Sequence, residues 1–185
     1  SLSSGITGPG YDLTGLLVGS EGTLGIITKI AVRLVHQLES VRTMLAVFSS
    51  VDIACRAVSE IIGNGIVPTA LELMDQICVQ AVSKWMPSAE LPQEAGAILI
   101  IEVEGITDGL EELAEEISMI CLQVGAQEIR QASTEAERAS LWAARKGTFG
   151  AIGVLAPNYY VQDGVVPRTR LPDILRQVYE VGEKF

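Results

Sequence analysis

The chain has 185 residues, 13 basic against 23 acidic side chains, and a net charge of −10. At 48% apolar and 19% charged it is neither disordered nor fibrous, and its length allows one domain or one domain with part of another. This acidity excludes nucleic acid or an anionic membrane as the main partner, and apolar runs such as Ala97–Ile101 are far below the ~18–20 residues of a transmembrane segment.

Residues Ser1–Asp12, rich in Ser, Thr and Gly, read as a lead-in loop. Leu24, Ile26, Thr28, Ile30, Val32 and Leu34 then recur with a period of two, which predicts a strand. A polar linker, His36–Ser40, precedes a second strand at Val41–Phe48. Ala54, Ala57, Val58, Ile61 and Ile62 mark a helical face stopped by Gly63 and Gly65. Val67–Met74 reads as a strand, and Asp75 is placed to cap a helix with the stripe Ile77, Cys78, Ala81, Val82 and Trp85. Gly96–Gly105 is the clearest strand. Asp108 and Glu111 form a capping box for a helix over Leu110–Val124. A short strand at Ala126–Arg130 follows, then the capping pair Thr134 and Glu137 before a helix running to about Ile152. Tyr159–Asp163 reads as a strand, and Leu171–Glu183 as a final helix with Pro172 in its first turn.

This alternation admits a parallel doubly wound sheet. The polar positions within Val41–Phe48 and Gly96–Glu104 favour instead an α+β, ferredoxin-like antiparallel sheet with helices mainly on one face. No charged-then-apolar segment opens this sequence, so no signal peptide is expected. Cys55, Cys78 and Cys121 sit in apolar periodic segments without Cys-x-x-Cys spacing, and read as packed thiols of a reducing compartment. A mean hydropathy of +0.34 is high for a free-standing domain and points to apolar surface that meets another part of a larger protein.

Two features carry chemistry. Gly19-Ser20-Glu21-Gly22-Thr23-Leu24-Gly25 places glycines at a strand entrance, where they make either a bulged turn or a close backbone approach to a ligand. Arg145 lies on the helical stripe of Leu141, Trp142, Phe149 and Ile152. A guanidinium in an apolar stripe needs an anion: an internal carboxylate such as Glu72, Asp75 or Asp163, or a substrate carboxylate held by the planar fork. Asp163 in Gln162-Asp163-Gly164 reads first as a turn residue, with Tyr160 and Gln162 as candidate pocket lining. Glu111, Glu112, Glu115 and Glu116 read as a solvated helix face. His36 stands alone in the linker, so no histidine-based metal site is expected.

The stretch Gly10–Thr28 resembles the end of the flavin domain of vanillyl-alcohol-oxidase-type FAD-linked oxidases. Pro68–Asp75, Leu141–Lys146 and Gln162–Arg168 follow in the same order as in that family, most closely its glycolate oxidase FAD-binding subunits. The resemblance implies residues 1–36 as the end of the FAD-binding domain and 37–185 as an incomplete substrate-binding cap. It implies FAD alongside Glu21, Gly22, Thr23, Leu24, Gly25, Ile26 and Ile27, and a substrate carboxylate on Arg145. Phe149 and Val161 stand where related enzymes for larger acids carry polar groups, which implies a small 2-hydroxy acid such as glycolate. The implied reaction is hydride transfer from that acid to FAD, with the base in a downstream region. This chain by itself is then expected to be inactive and without flavin. A second flavin-domain subunit, an iron–sulfur subunit and a cytoplasmic place at the inner membrane face are further implications. From the residues alone, a free-standing ferredoxin-like module that binds a small molecule or a protein remains open; within the resemblance, so does a relative that uses flavin for non-oxidase chemistry.

Overall fold

Four strands form one antiparallel sheet: β1 (Ser40–Phe48), β2 (Ala70–Asp75), β3 (Ala97–Gly105) and β4 (Glu128–Gln131), in the order β2-β3-β1-β4. The computed structural model describes residues 10–35, 38–156 and 158–184, and it divides into two units, Ser1–Gln37 and Leu38–Phe185. The sheet belongs to the second unit. His36 and the start of the expected lead-in loop lie outside the described residues.

The fold is α+β, and its strand order is that of a ferredoxin-like sheet. On one face Met44, Ala46, Phe48, Leu99, Ile101 and Val103 meet α2 (Val51–Gly63) and α4 (Leu110–Val124). The other face is covered as well, which corrects the expectation of helices mainly on one side. There Leu45, Val47, Met74, Ile98 and Ile100 pack beneath α3 (Gln76–Trp85) and α5 (Glu135–Ile152). The reason lies in the strands themselves. The polar residues of β1 and β3 gather at one end, and the remaining positions are apolar on both faces, so each face needs a cover.

Three of the expected caps can be compared directly. Asp75 caps α3, its Oδ1 accepting from the Cys78 amide at 2.8 Å. Thr134 caps α5, accepting from the Glu137 amide at 3.2 Å, while the Glu137 carboxylate accepts from the Ser133 amide at 2.7 Å. The box at Asp108 is not formed. Gly109, at φ +85°, makes the turn into α4, and Glu111 instead accepts from Arg42 Nε at 2.7 Å and from Gln131 at 3.1 Å. Both hydrogen bonds hold the Glu111 carboxyl below its ordinary range.

Two expected strands are absent among the described residues. Residues 24–35 carry no ladder and are exposed, Ile26 and Leu34 almost fully, because this period-two segment has no partner strand among the described residues of its own unit. Tyr159–Asp163 is an exposed loop, tied back by a Tyr159 hydroxyl that donates to the Phe149 carbonyl at 3.2 Å. The first unit contains α1 (Leu13–Leu17), capped by Asp12, and a turn closed by the Thr23 amide on the Ser20 carbonyl at 2.9 Å.

The buried faces of α3 and α5 differ from the stripes expected. Val79, Ala81, Val82 and Ser83 are buried in α3, and Ala144 and Ala151 in α5, whereas Ile77, Trp85 and Phe149 are about half exposed. Small residues let the two helices meet: a Cβ on Gly147 would lie 2.3 Å from the Trp85 ring. Gly147→Ala therefore destabilises the fold by about 1–3 kcal/mol through overpacking. Gly63→Ala, where a Cβ meets nothing within 4 Å, has little effect. Thermal unfolding of the two variants checks this contrast.

The last helix, α6 (Leu171–Gly182), begins with Pro172 in its first turn, as expected. It is tied to the rest by the Tyr179 hydroxyl on Asp75 Oδ2 at 2.6 Å and by Arg176 near Asp52 at 3.3 Å. Burial first, and then the bond to Asp75, raise the Tyr179 pKa.

Candidate functional site

Cross-strand partners share a sheet face. Glu72 opposes Ile100, and Glu102 opposes both Ala70 and Thr43. Glu72, Glu102 and Thr43 therefore all lie on the face beneath α5. Positions 138, 142 and 145 follow one another at i, i+4 and i+7, so they share one side of that helix. Arg138 and Trp142 reach Glu102 on β3, and Arg145 reaches Glu72 on β2.

Arg145 Nε donates to Glu72 Oε2 at 2.6 Å, and about a third of each side chain remains exposed. Glu72 is one of the internal carboxylates expected as a partner. Among the described residues the terminal nitrogens of the guanidinium donate to no further group. The Cys78 thiol, in the first turn of α3, feels the charges of both Asp75 and Arg145.

Glu102 is the larger find, because its charge is buried: the residue is 4% exposed. It accepts four hydrogen bonds, from Thr43 Oγ1 at 2.5 Å, Trp142 Nε1 at 2.7 Å, Arg138 Nε at 2.9 Å and Arg138 Nη2 at 3.0 Å. The arginine thus binds both carboxylate oxygens through its planar fork. Burial alone would raise the Glu102 pKa, but these donors and the Arg138 charge outweigh it and hold the carboxyl below its ordinary range. The hydrogen bonds that Arg138 donates to Glu102 first, and then to Glu135, fix it as a cation. The sequence reading passed over this cluster, although Glu102 is the single charge between Ala97 and Val103 and Trp142 stands in the Leu-Trp-x-x-Arg segment.

Tyr160 and Gln162 lie on the exposed loop after α5. Glu21, Gly22, Thr23, Leu24, Gly25, Ile26 and Ile27 belong to the first unit and are all exposed. There Glu21 and Gly22 adopt φ of +48° and +78°, and Cβ atoms on Gly22 or Gly25 would meet nothing. Cavities of about 490, 500 and 600 Å³ lie on the second unit. The first is lined by Arg42, Thr43, Glu111 and Arg138, the second by Arg138, Trp142 and Lys146, and the third by Leu45, Arg130, Ser140 and Leu141; Arg145 lines none of them. Among the described residues no cluster of three or more His, Cys, Asp or Glu is placed to hold a metal ion, and no helix is long and apolar enough to cross a membrane. All three cysteines are free. Burial raises Cys121 to about 11, and burial together with the Asp75 hydrogen bond raises Cys78 to about 12; burial and the Asp52 charge also raise Cys55.

Known proteins place this geometry in a family. The FAD linked oxidases, C-terminal domain, match residues 37–185, so the chain belongs to that family. It is 39% identical over 183 residues to glycolate oxidase subunit GlcD of Escherichia coli K12, and 36% identical over 176 residues to that of Bacillus subtilis. These alignments cover 99% and 95% of this chain but 36% and 37% of those proteins, so the chain spans a little over a third of their length. A D-lactate dehydrogenase of Archaeoglobus fulgidus is 29% identical over 176 residues, covering 95% of this chain and 38% of that protein. Among solved structures, an alkyldihydroxyacetonephosphate synthase shares the fold with a TM-score of 0.67 at 19% identity, covering 95% of this chain and 37% of that one.

Removing either partner of the buried pair leaves an uncompensated charge. Glu102→Ala and Arg138→Ala are each expected to cost about 3–5 kcal/mol by that argument. The folded-state pKa of Glu102 lies below the unfolded one, so its contribution is complete above the ordinary carboxylate value of about 4.3 and is lost as pH falls through the folded value. Denaturant unfolding between about pH 7 and pH 3 should show this acid-side loss, and Glu102→Gln should flatten it.

Proposed function

We propose that this chain is part of an FAD-dependent 2-hydroxy-acid oxidoreductase that converts glycolate to glyoxylate. In this reading residues 1–36 are the end of the flavin-binding domain, and residues 37–185 belong to the cap that covers the substrate. The observation that carries the reading is Arg145. Glu72 holds its Nε, while the two terminal nitrogens point to no other described group and so suit a carboxylate. Family membership and the names of the similar proteins support the substrate class.

FAD, when bound, supplies the two-electron acceptor. The open backbone at Glu21–Ile27, with space above Gly22 and Gly25, suits close approach of a flat cofactor, and these residues would hold it. Arg145 would bind the substrate carboxylate and orient the carbon that loses hydride. Such positioning contributes substantially to lowering a barrier without any covalent step. Tyr160 and Gln162 would line the substrate side from the loop after α5, a role supported by the resemblance of Gln162–Arg168. A small acid fits the apolar Phe149, one helical turn beyond Arg145. The catalytic base would come from outside this chain. Assembly with other subunits is supported by the names of the bacterial relatives, each a subunit of a glycolate oxidase; a second flavin-domain subunit, an iron–sulfur subunit and a place at the cytoplasmic face of the inner membrane rest on the resemblance alone.

Arg145→Ala in the whole flavoprotein is expected to raise the KM for glycolate by about 10- to 100-fold, the worth of hydrogen bonds between charged groups. Arg145→Lys, which keeps the charge but loses the fork, should fall between this and the unaltered protein. Steady-state kinetics with an artificial electron acceptor checks both. An unchanged KM in Arg145→Ala removes the carboxylate role.

A further inference from the structure

We infer that Glu72 is a specificity-determining residue that makes the Arg145 site selective for monocarboxylates over dicarboxylates. This rests on the proposal that Arg145 receives the substrate carboxylate. One observation carries it. Glu72 takes Arg145 through Nε at 2.6 Å, the nitrogen at the base of the fork, and Nη1 and Nη2 donate to no other described group. The cation is therefore already balanced by one carboxylate before any acid enters.

A first substrate carboxylate is compensated by two direct charge-assisted hydrogen bonds from the free nitrogens. A second carboxylate on a short diacid has no such partner. Arg138, on the same side of α5, is committed to Glu102 and Glu135, and Phe149 offers no donor at the following turn. That second charge lies within the ~8–10 Å over which salt leaves a charge unscreened, and it meets Glu72 as a like charge. Glu72 thus has two effects: it aims the guanidinium, and it sets the electrostatic cost of a second acid group.

The test uses the whole FAD-containing protein, with D-lactate as the monocarboxylate and D-malate as the dicarboxylate, the latter followed as a competing inhibitor where it is not oxidised. Glu72→Gln keeps an oxygen to accept from Arg145 Nε and removes the charge. It should lower the malate constant relative to the lactate KM by about tenfold. In the unaltered protein the same ratio should narrow as salt rises, which decides the matter even where the variant does not fold. Constants that move by the same factor for both acids, or a ratio insensitive to salt, overturn the selectivity assigned to Glu72. Arg145→Ala separates the two readings. If it raises both constants while Glu72→Gln leaves their ratio unmoved, only the present inference fails. If it raises neither, the carboxylate role of Arg145 fails, and this inference with it.

Discussion

A carboxylate enclosed between a sheet and a helix is tolerable only if donors replace the water it has lost. Glu102 meets that condition through one hydroxyl, one indole and both faces of a guanidinium fork. Because three of those four hydrogen bonds come from α5, satisfying the charge also fixes where that helix lies and how it is turned. Arg145 is carried on the same side of α5, seven residues beyond Arg138, so its position over β2 follows from the anchor on β3. The partly exposed pair with Glu72 then acts as a second pin, weaker because water competes for it.

The layering follows the same logic. Two helices on one side of the sheet would complete a ferredoxin-like unit, and the apolar residues facing the other side would be left wet. Here α3 and α5 close that side, and their approach depends on glycine and alanine in α5 where Trp85 crosses. A residue set chosen for close packing leaves few positions on α5 free for polar work. The arginines occupy those positions, at the margin where the helix faces the polar end of the sheet.

Much of this was legible from residue order. The helix limits, the caps by Asp75 and Thr134, and the antiparallel α+β class all arise from local chemistry: spacing, a side-chain oxygen before a helix, a glycine after one. Glu72 as a partner of Arg145 was among the alternatives for the same local reason, since a cation on an apolar stripe needs an anion. The Glu102 cluster was not legible. It depends on Thr43, Glu102 and Trp142 being brought together across three elements, and register is not written in any one segment. The alternation over residues 24–35 and 159–163 misled for the converse reason: a period of two records a strand's preference, and a ladder needs a neighbour that neither segment has among the described residues of its own unit. The missing box at Asp108 shows competition at work, with Glu111 engaged instead by Arg42 of β1 and Gln131 of β4.

The three thiols have a practical corollary. Each is held in its protonated, unreactive form by burial, so near neutral pH they should ignore maleimides and iodoacetamides that react with thiolates. A reporter cysteine introduced on the solvent side of α5 or on the loop beyond it can therefore be tagged without first stripping out the native ones.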